Sequence, residues 1–165
     1  MSNIRRSWSK KGARTVYQNQ QEYANRYLYS AIDPNTGDSF HLMDIDDVST
    51  QCSDLFLGAL QKQFANNHLV VVWDRAPFHK PKLLQRKDMT IIFLPSYSPQ
   101  LNPVERFFGE MRKFTANKIF RDGLDALSKT VEEAVVLLSN NKEGIKKLTG
   151  YEWIIEQWNQ IGLLV

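Results

Sequence analysis

Two acidic residues stand where a protein can hold a divalent cation, and the first of them is Asp74. It directly follows the apolar run Leu69–Trp73, which predicts a buried strand. Ligands of open α/β sheets bind beyond the carboxyl ends of the strands, and a carboxylate there can coordinate a hard cation. An Asp at this point can instead cap the segment that follows the strand. From the residues alone, both roles of Asp74 stay open.

The second acidic residue, Glu105, lies in the opening turn of a predicted helix. Asn102, Pro103 and Glu105 match an N-cap, a proline at the first helical position and a glutamate that can reach back to the cap. A purely structural role is therefore a strong alternative. The apolar periodicity leaves Glu105 near the edge of the buried side, so it can also point along the sheet toward Asp74. The two roles are compatible.

A stiff connection leads into that helix. The segment Leu94–Pro103 contains three prolines in ten residues, and each proline fixes its own φ. A stiff loop would hold Glu105 at a defined place, which a metal site requires because a loosely held ligand lowers affinity. The alternative is a rigid surface connection without chemistry.

The elements that must position these residues follow from periodicity and turn chemistry. Tyr27–Ile32 and Ser39–Met43 are predicted to form an antiparallel hairpin around the turn formers Asp33–Asp38. A helix is predicted from Ser49 or Thr50 to about Phe64, and its apolar face consists of Leu55, Phe56, Ala59, Leu60 and Phe64. Strands buried on both faces are predicted at Leu69–Trp73 and Thr90–Leu94, with a short helix within Lys80–Lys87 between them. Three more helices are predicted: one from Pro103 to about Phe120, one marked by Leu124, Leu127, Val131, Val135 and Leu138, and a short C-terminal one with Trp153, Ile154, Ile155 and Trp158. This order predicts an α/β fold, a mixed sheet with helices on its faces.

Two long motifs carry a resemblance to a known family. They are Val72–His79, which reads VWDRAPFH, and Phe93–Arg106, which reads FLPSYSPQLNPVER. Together with the hairpin turn that begins at Asp33, they make the chain, up to about Phe120, similar to the DDE endonuclease domain of insertion-sequence transposases in the mariner superfamily. The second motif is long and highly specific.

The resemblance implies an RNase H-like fold with helices on both faces and a role in DNA transposition. It implies that Asp74 and Glu105 are catalytic carboxylates and metal ligands, and that His79 is their active-site neighbour. The implied cofactor is Mg²⁺ or Mn²⁺ in a two-metal site, and the implied partner is DNA, both transposon ends and target. A single His after a strand-end Asp can orient a carboxylate or contact a phosphate, but it can equally be an ordinary surface residue.

The sequence departs from the family pattern at its start. The family has its first catalytic Asp on a strand just upstream of the hairpin, and no Asp occurs within Met1–Arg26. We therefore expect an N-terminally truncated domain without the first strand, weak or absent metal binding, and little activity of the chain alone. Asp33, Asp44, Asp46 and Asp47 are unpromising substitutes by position. The predicted helix within Lys80–Lys87 also falls where the spacing is shorter than the family's.

Charge and composition limit the possible partners and the cellular location of the chain. A basic N-terminal arm, residues 1–25, precedes a predicted catalytic domain, residues 26–165. The cations of the arm are Arg5, Arg6, Lys10, Lys11 and Arg14. They either contact DNA phosphates or are simply solvated. The single cysteine excludes an intrachain disulfide, and together with three histidines it makes a structural zinc site implausible. No apolar run is long enough to cross a bilayer. We expect a cytoplasmic protein without a membrane partner.

Three hypotheses from different classes remain at this point. The chain is a transposase fragment that is catalytically defective alone, or one half of a split enzyme completed by an N-terminal fragment from an upstream frame, or a non-catalytic nucleic-acid-binding remnant. A lost central strand would leave unpaired backbone edges, which favour a complementing partner or a homodimer.

Overall fold

The chain begins its regular structure with a tight antiparallel hairpin. In the computed structural model, β1 (Tyr27–Ile32) pairs with β2 (Ser39–Ile45). The turn is closed by Asp33, whose N–H donates to the Asp38 carbonyl at 2.8 Å and whose carbonyl accepts from Gly37 at 2.9 Å. Gly37 has a φ of 77°, which favours glycine. The predicted hairpin and its turn are confirmed, and β2 runs two residues further than predicted.

The structure describes most of the chain. The described residues are 10–12, 25–45, 47–79, 86–116, 118, 120 and 123–162. The predicted short helix within Lys80–Lys87 and the arm residues Arg5, Arg6 and Arg14 lie wholly or largely outside these ranges.

The first helix packs the hairpin onto a core. Helix α1 (Thr50–Gln63) starts where the sequence predicts, since the Ser49 hydroxyl accepts from the Cys52 N–H at 3.2 Å. Its buried face is centred on Phe56 and Leu57, together with Leu60. The predicted face was wrong at Leu55, which is 57% exposed, because the helix is rotated so that Leu57 points inward instead.

The second pair of strands is parallel, as predicted. Strand β3 (Leu69–Trp73) pairs with β4 (Met89–Phe93) in register, with Trp73 opposite Phe93. The prediction that both faces are buried was wrong, because Val72 and Ile92 are 46% and 44% exposed. Helix α1 covers only the opposite face, where Val71 and Trp73 join its core cluster.

The strands are arranged as two two-stranded sheets, one antiparallel and one parallel. The prediction of one mixed sheet therefore needs correction at the level of pairing, because no ladder joins β1–β2 to β3–β4 among the described residues. Both sheets nevertheless contribute to the same hydrophobic cluster around Phe56 and Leu57. The shared core, rather than a shared ladder, holds the two sheets together.

Four further α-helices lie in the described part of the chain, and three of them cover the other face of the hairpin. They are α2 (Val104–Thr115), α3 (Gly123–Ser139), α4 (Lys142–Thr149) and α5 (Glu152–Gly162). Phe107, Val135 and Ile145 form a second core cluster between α2, α3 and α4, against which Leu28, Ile32 and Met43 of the hairpin pack. The hairpin is thus enclosed between α1 and this helical layer. In the described part of the chain, no helix is long and apolar enough to span a membrane.

One helix ends earlier than predicted, and another helix was not predicted. Helix α2 ends at Thr115 rather than near Phe120, since Ala116 has a ψ of 136° and leaves helical geometry. Helix α4 was missed because Gly144 in its first turn and several lysines obscure its periodicity. Asn141 caps the helix, since its side chain accepts from the Gly144 N–H at 2.9 Å. The predicted helix around Val131 and Val135 and the C-terminal helix are confirmed.

Candidate active site

The acidic residue at the carboxyl end of the parallel strands is Asp74, immediately after β3. Its Oδ1 accepts from Nδ1 of His79 at 2.8 Å and from the Ala76 N–H at 3.1 Å. No described residue bonds to its Oδ2, and the side chain is 59% exposed. One oxygen is therefore fixed while the other faces solvent at the carboxyl edge of the parallel strands.

The histidine that holds Asp74 is buried between aromatic rings. The His79 side chain is only 4% exposed, with its ring centroid 3.8 Å from that of Trp73 and 4.6 Å from that of Phe78. Its Nδ1 also lies 3.1 Å from the Asp74 carbonyl oxygen. Because both partners of Nδ1 are acceptors, Nδ1 must carry the hydrogen. The buried Nε2 has no hydrogen-bond partner among the described residues.

This contact changes the acidity of the carboxyl group. The hydrogen bond from His79 lowers the pKa of Asp74 below its ordinary value, with a smaller contribution from the Ala76 N–H, although partial burial acts in the opposite direction. Donors to a carboxylate favour its charged form. Asp74 is therefore held as an anion, the state in which it can coordinate a cation.

The residue after Asp74 ties two loops together. Arg75 donates from Nε to the Leu94 carbonyl at 3.1 Å, and its guanidinium carbon lies 5.5 Å from the centre of the Phe93 ring. The Leu94 N–H in turn donates to the Trp73 carbonyl at 2.7 Å. The loop that carries Asp74 and the loop that leads to α2 therefore leave the sheet side by side. Arg75 was not among the predicted site residues; its signal was a cation directly beside the strand-end Asp.

The third predicted site residue, Glu105, lies in the first turn of α2. Its N–H donates to the Asn102 carbonyl at 3.1 Å, and Oδ1 of Asn102 accepts from the Val104 N–H at 3.3 Å. The helix starts one residue later than predicted, with Pro103 in the cap position, and the predicted reach of Glu105 back to the cap is not formed. Its carboxylate is exposed and has no partner among the described residues.

The acidic groups do not form a complete metal cluster. Within the described ranges, no three His, Cys, Asp or Glu side chains converge on a common cation position. The structure brings Asp74 and His79 together, and Glu105 stands in the first turn of α2. Asp33 and Asp44 are engaged elsewhere: Asp33 accepts from Thr36 in the hairpin turn at 2.8 Å, and Asp44 pairs with Arg26 at 3.2 Å.

The predicted nucleic-acid-binding residues are only partly described. Lys10 and Lys11 are exposed, and neither forms an ion pair within the described ranges. Arg5, Arg6 and Arg14 lie outside the described residues.

The mixed α/β architecture has the RNase H-like fold, as its likeness to a solved structure shows. The chain belongs to the DDE superfamily endonucleases, whose family model matches residues 1–128. The predicted fold class and the endonuclease resemblance are confirmed at this level.

Two individual proteins are similar to the chain. An uncharacterized protein of Sinorhizobium fredii (strain NBRC 101917 / NGR234), y4pE/y4sA, is 32% identical over 99 residues, covering 58% of this chain and 73% of that protein. The crystal structure of the Mos1 strand transfer complex matches with a TM-score of 0.52 at 15% identity, covering 90% of this chain and 51% of that chain. The chain thus spans about half the length of the Mos1 chain, and at this identity the likeness is one of fold.

Proposed function

We propose that the chain is the catalytic part of an insertion-sequence transposase, a protein that cleaves and joins DNA strands by metal-dependent phosphoryl transfer. The observation that carries the proposal is Asp74, with Oδ1 held by His79 and Ala76 and Oδ2 free at the edge of the sheet. Membership of the DDE endonucleases supports this chemistry. The structural neighbour was solved as a strand transfer complex, and this supports DNA as the partner.

The donor set suits a hard divalent cation. Asp74 and Glu105 offer exposed carboxylate oxygens that are not used by a neighbouring cation of the described chain, and such oxygens are the ligands that Mg²⁺ and Mn²⁺ prefer. These two residues would hold the metal. When bound, the metal supplies activation of the attacking water or 3′-hydroxyl and stabilisation of the leaving oxygen.

Other residues of the chain position these ligands. His79 fixes the rotation of the Asp74 carboxylate and keeps it ionised, so it is a positioning residue. Asn102 and the proline-rich loop set the start of α2 and hence the place of Glu105. Lys10 and Lys11, in the proposed basic arm of residues 1–25, would neutralise DNA phosphates beside a catalytic domain of residues 26–165.

The proposed centre needs a further carboxylate. Among the described residues, Asp74 and Glu105 alone provide too few fixed oxygens to hold two cations, and Asp33 and Asp44 are engaged in other contacts. We therefore expect the chain alone to bind metal weakly and to cleave DNA poorly. A second polypeptide that contributes an aspartate would complete the centre, as in a transposase split between two reading frames.

A nicking assay tests this function. Supercoiled DNA is incubated with Mg²⁺ or Mn²⁺ and the chain, alone or with the polypeptide encoded directly upstream. We expect little nicking by the chain alone, clear nicking by the mixture, and loss of that nicking in Asp74→Asn and Glu105→Gln. Glu110→Gln, on the same helix as Glu105 but paired with Lys113, is the matched control and should remain active. Nicking that survives Asp74→Asn would contradict the proposed site.

A non-catalytic nucleic-acid-binding module is the second candidate, favoured by the exposed Lys10 and Lys11. It predicts DNA binding that needs no metal and weakens steeply with salt. If no combination of polypeptides and metals gives nicking, but salt-sensitive binding is lost in Lys10→Gln/Lys11→Gln, this second function is the correct one.

A further inference from the structure

One aromatic residue of the proline-rich loop stands entirely free of the protein. The Tyr97 side chain is 100% exposed, and its φ is 58°, in the left-handed region that non-glycine residues rarely adopt. Pro95 and Pro99 flank it and limit the freedom of the loop. A tyrosine held outward at some conformational cost, with no packing in return, indicates that its ring is presented to a partner.

A cation without a carboxylate partner lies at the root of the same loop. Arg75 uses Nε to bind the Leu94 carbonyl and packs its guanidinium over Phe93. No acidic group lies within ion-pair distance of it in the described part of the chain, and its side chain is exposed. Its terminal nitrogens are therefore free to donate to an anion, and a guanidinium fixed in this way is suited to a phosphate.

The two groups belong to the same end of the parallel strands. Arg75 binds the Leu94 carbonyl, and Tyr97 follows Leu94 by only three residues, so the Cα atoms of Leu94 and Tyr97 lie within about 11 Å of each other. An aromatic ring beside a basic groove is the usual arrangement for binding unpaired bases, because every base offers a face for stacking.

We propose that Arg75 and Tyr97 bind a DNA strand beside the proposed catalytic carboxylates. Arg75 contacts a phosphate, and Tyr97 stacks on an unpaired base. The preferred substrate is then DNA with unpaired nucleotides at the site of cleavage rather than a uniform duplex. This inference rests on the proposed function for the identity of the partner. It concerns binding, so it can be tested without cleavage.

The test measures binding of two oligonucleotides in the presence of EDTA, a fully paired duplex and the same duplex with a short single-stranded gap that contains 2-aminopurine. Tyr97→Asn removes the ring but tolerates the positive φ, and Tyr97→Phe keeps the ring. We expect Tyr97→Asn to bind the gapped DNA about tenfold more weakly and to lose the quenching of 2-aminopurine. Its affinity for the paired duplex should not change, and Tyr97→Phe should behave as the unmodified protein.

Arg75→Gln tests the phosphate contact. We expect weaker binding of both oligonucleotides and a salt dependence whose slope is smaller by about one. Lys62→Gln, an exposed cation at the end of α1, is the matched control and should leave the slope unchanged. Circular dichroism checks that all variants are folded.

Several results would overturn the inference. Unchanged affinity and unchanged 2-aminopurine quenching in Tyr97→Asn would exclude stacking, and an unchanged salt slope in Arg75→Gln would exclude the phosphate contact. Loss of self-association in Tyr97→Asn, without any effect on DNA, would assign the ring to a protein contact instead. Failure of the proposed function gives a different result, whatever these binding data show: either no combination of polypeptides and metals nicks DNA, or nicking survives Asp74→Asn.

Discussion

Nδ1 of His79 donates to Oδ1 of Asp74 across 2.8 Å, from an almost fully buried ring whose centroid lies 3.8 Å from that of Trp73. The packing fixes the donor, and the donor fixes one oxygen of an otherwise exposed carboxylate. His79 thus holds the Asp74 carboxylate in one orientation. Less conformational entropy is then lost when Asp74 binds a metal.

Replacing His79 should therefore change the acidity of Asp74. In His79→Gln, we expect the pKa of Asp74 to rise toward its ordinary value, because the main interaction that lowers it is removed. Carboxyl ¹³C chemical shifts followed through an NMR titration measure this directly. His68→Gln, at the opposite end of β3, is the control and should leave the Asp74 titration unchanged. A pKa of Asp74 that does not move in His79→Gln would mean that the contact contributes little.

The half-buried His41 predicts a loss of stability in acid. Its Nδ1 lies 2.9 Å from the Ser30 hydroxyl and its Nε2 3.0 Å from the Ser139 hydroxyl, and burial lowers its pKa from 6.5 to about 4. In the unfolded chain His41 binds a proton at the ordinary pKa of histidine, whereas in the folded chain it binds the proton only at the lower pKa. The contribution of His41 is therefore fully present above the ordinary pKa and is lost as the pH falls toward the lowered one.

Urea unfolding between neutral pH and the lowered pKa of His41 measures this effect. The free energy of unfolding should fall by up to about 3 kcal/mol through His41 alone. His41→Gln should be less stable at neutral pH but less sensitive to pH over this window. Equal pH sensitivity of His41→Gln and the unmodified chain would show that other groups cause the acid instability.

Two leucines of α1 provide a matched test of the core. Leu57 is 0% exposed and Leu55 is 57% exposed, so the same substitution removes buried surface at one position and exposed surface at the other. Leu57→Ala should lower the free energy of unfolding by about 2–5 kcal/mol, and Leu55→Ala by less than about 0.5 kcal/mol. Chemical denaturation of both variants measures the difference. Similar losses would contradict the orientation of α1.

Two glycines predict opposite effects of the same change. A Cβ at Gly37 would collide with the Lys142 carbonyl and would also require a non-glycine residue at a φ of 77°, whereas a Cβ at Gly109 on α2 meets no atom within 4 Å. Gly37→Ala should be destabilising, and Gly109→Ala should stabilise the chain by roughly 0.5–1 kcal/mol through helix propensity. Thermal unfolding measures both. A gain in stability from Gly37→Ala would contradict the close contact between the hairpin turn and α4.

Local signals explain why some of the fold could be predicted from the sequence. Some interactions join residues only a few positions apart, as in the turn around Asp33 and Gly37 and at the cap residue Ser49. A short stretch of sequence is therefore enough to predict them. The apolar run before Asp74 likewise predicts a strand and its parallel neighbour.

Other features depend on tertiary packing. An apolar run does not reveal which face of a strand is covered, and the exposure of Val72 follows from where the helices pack. The spacing of Asp74 and His79 indicates a possible contact, but the burial of the ring depends on Trp73 and Phe78 closing around it. Arg75 has no carboxylate partner because no acidic side chain lies near it in the described structure, and a local sequence pattern does not reveal this.

Binding of Mn²⁺ tests the central claim most directly. Electron paramagnetic resonance of free Mn²⁺ is followed as the metal is titrated into the unmodified chain, Asp74→Asn, Glu105→Gln and the control Glu110→Gln. We expect weak binding by the unmodified chain and by Glu110→Gln, and a clear loss in both Asp74→Asn and Glu105→Gln. Equal binding by all four proteins would contradict the claim that Asp74 and Glu105 hold the metal.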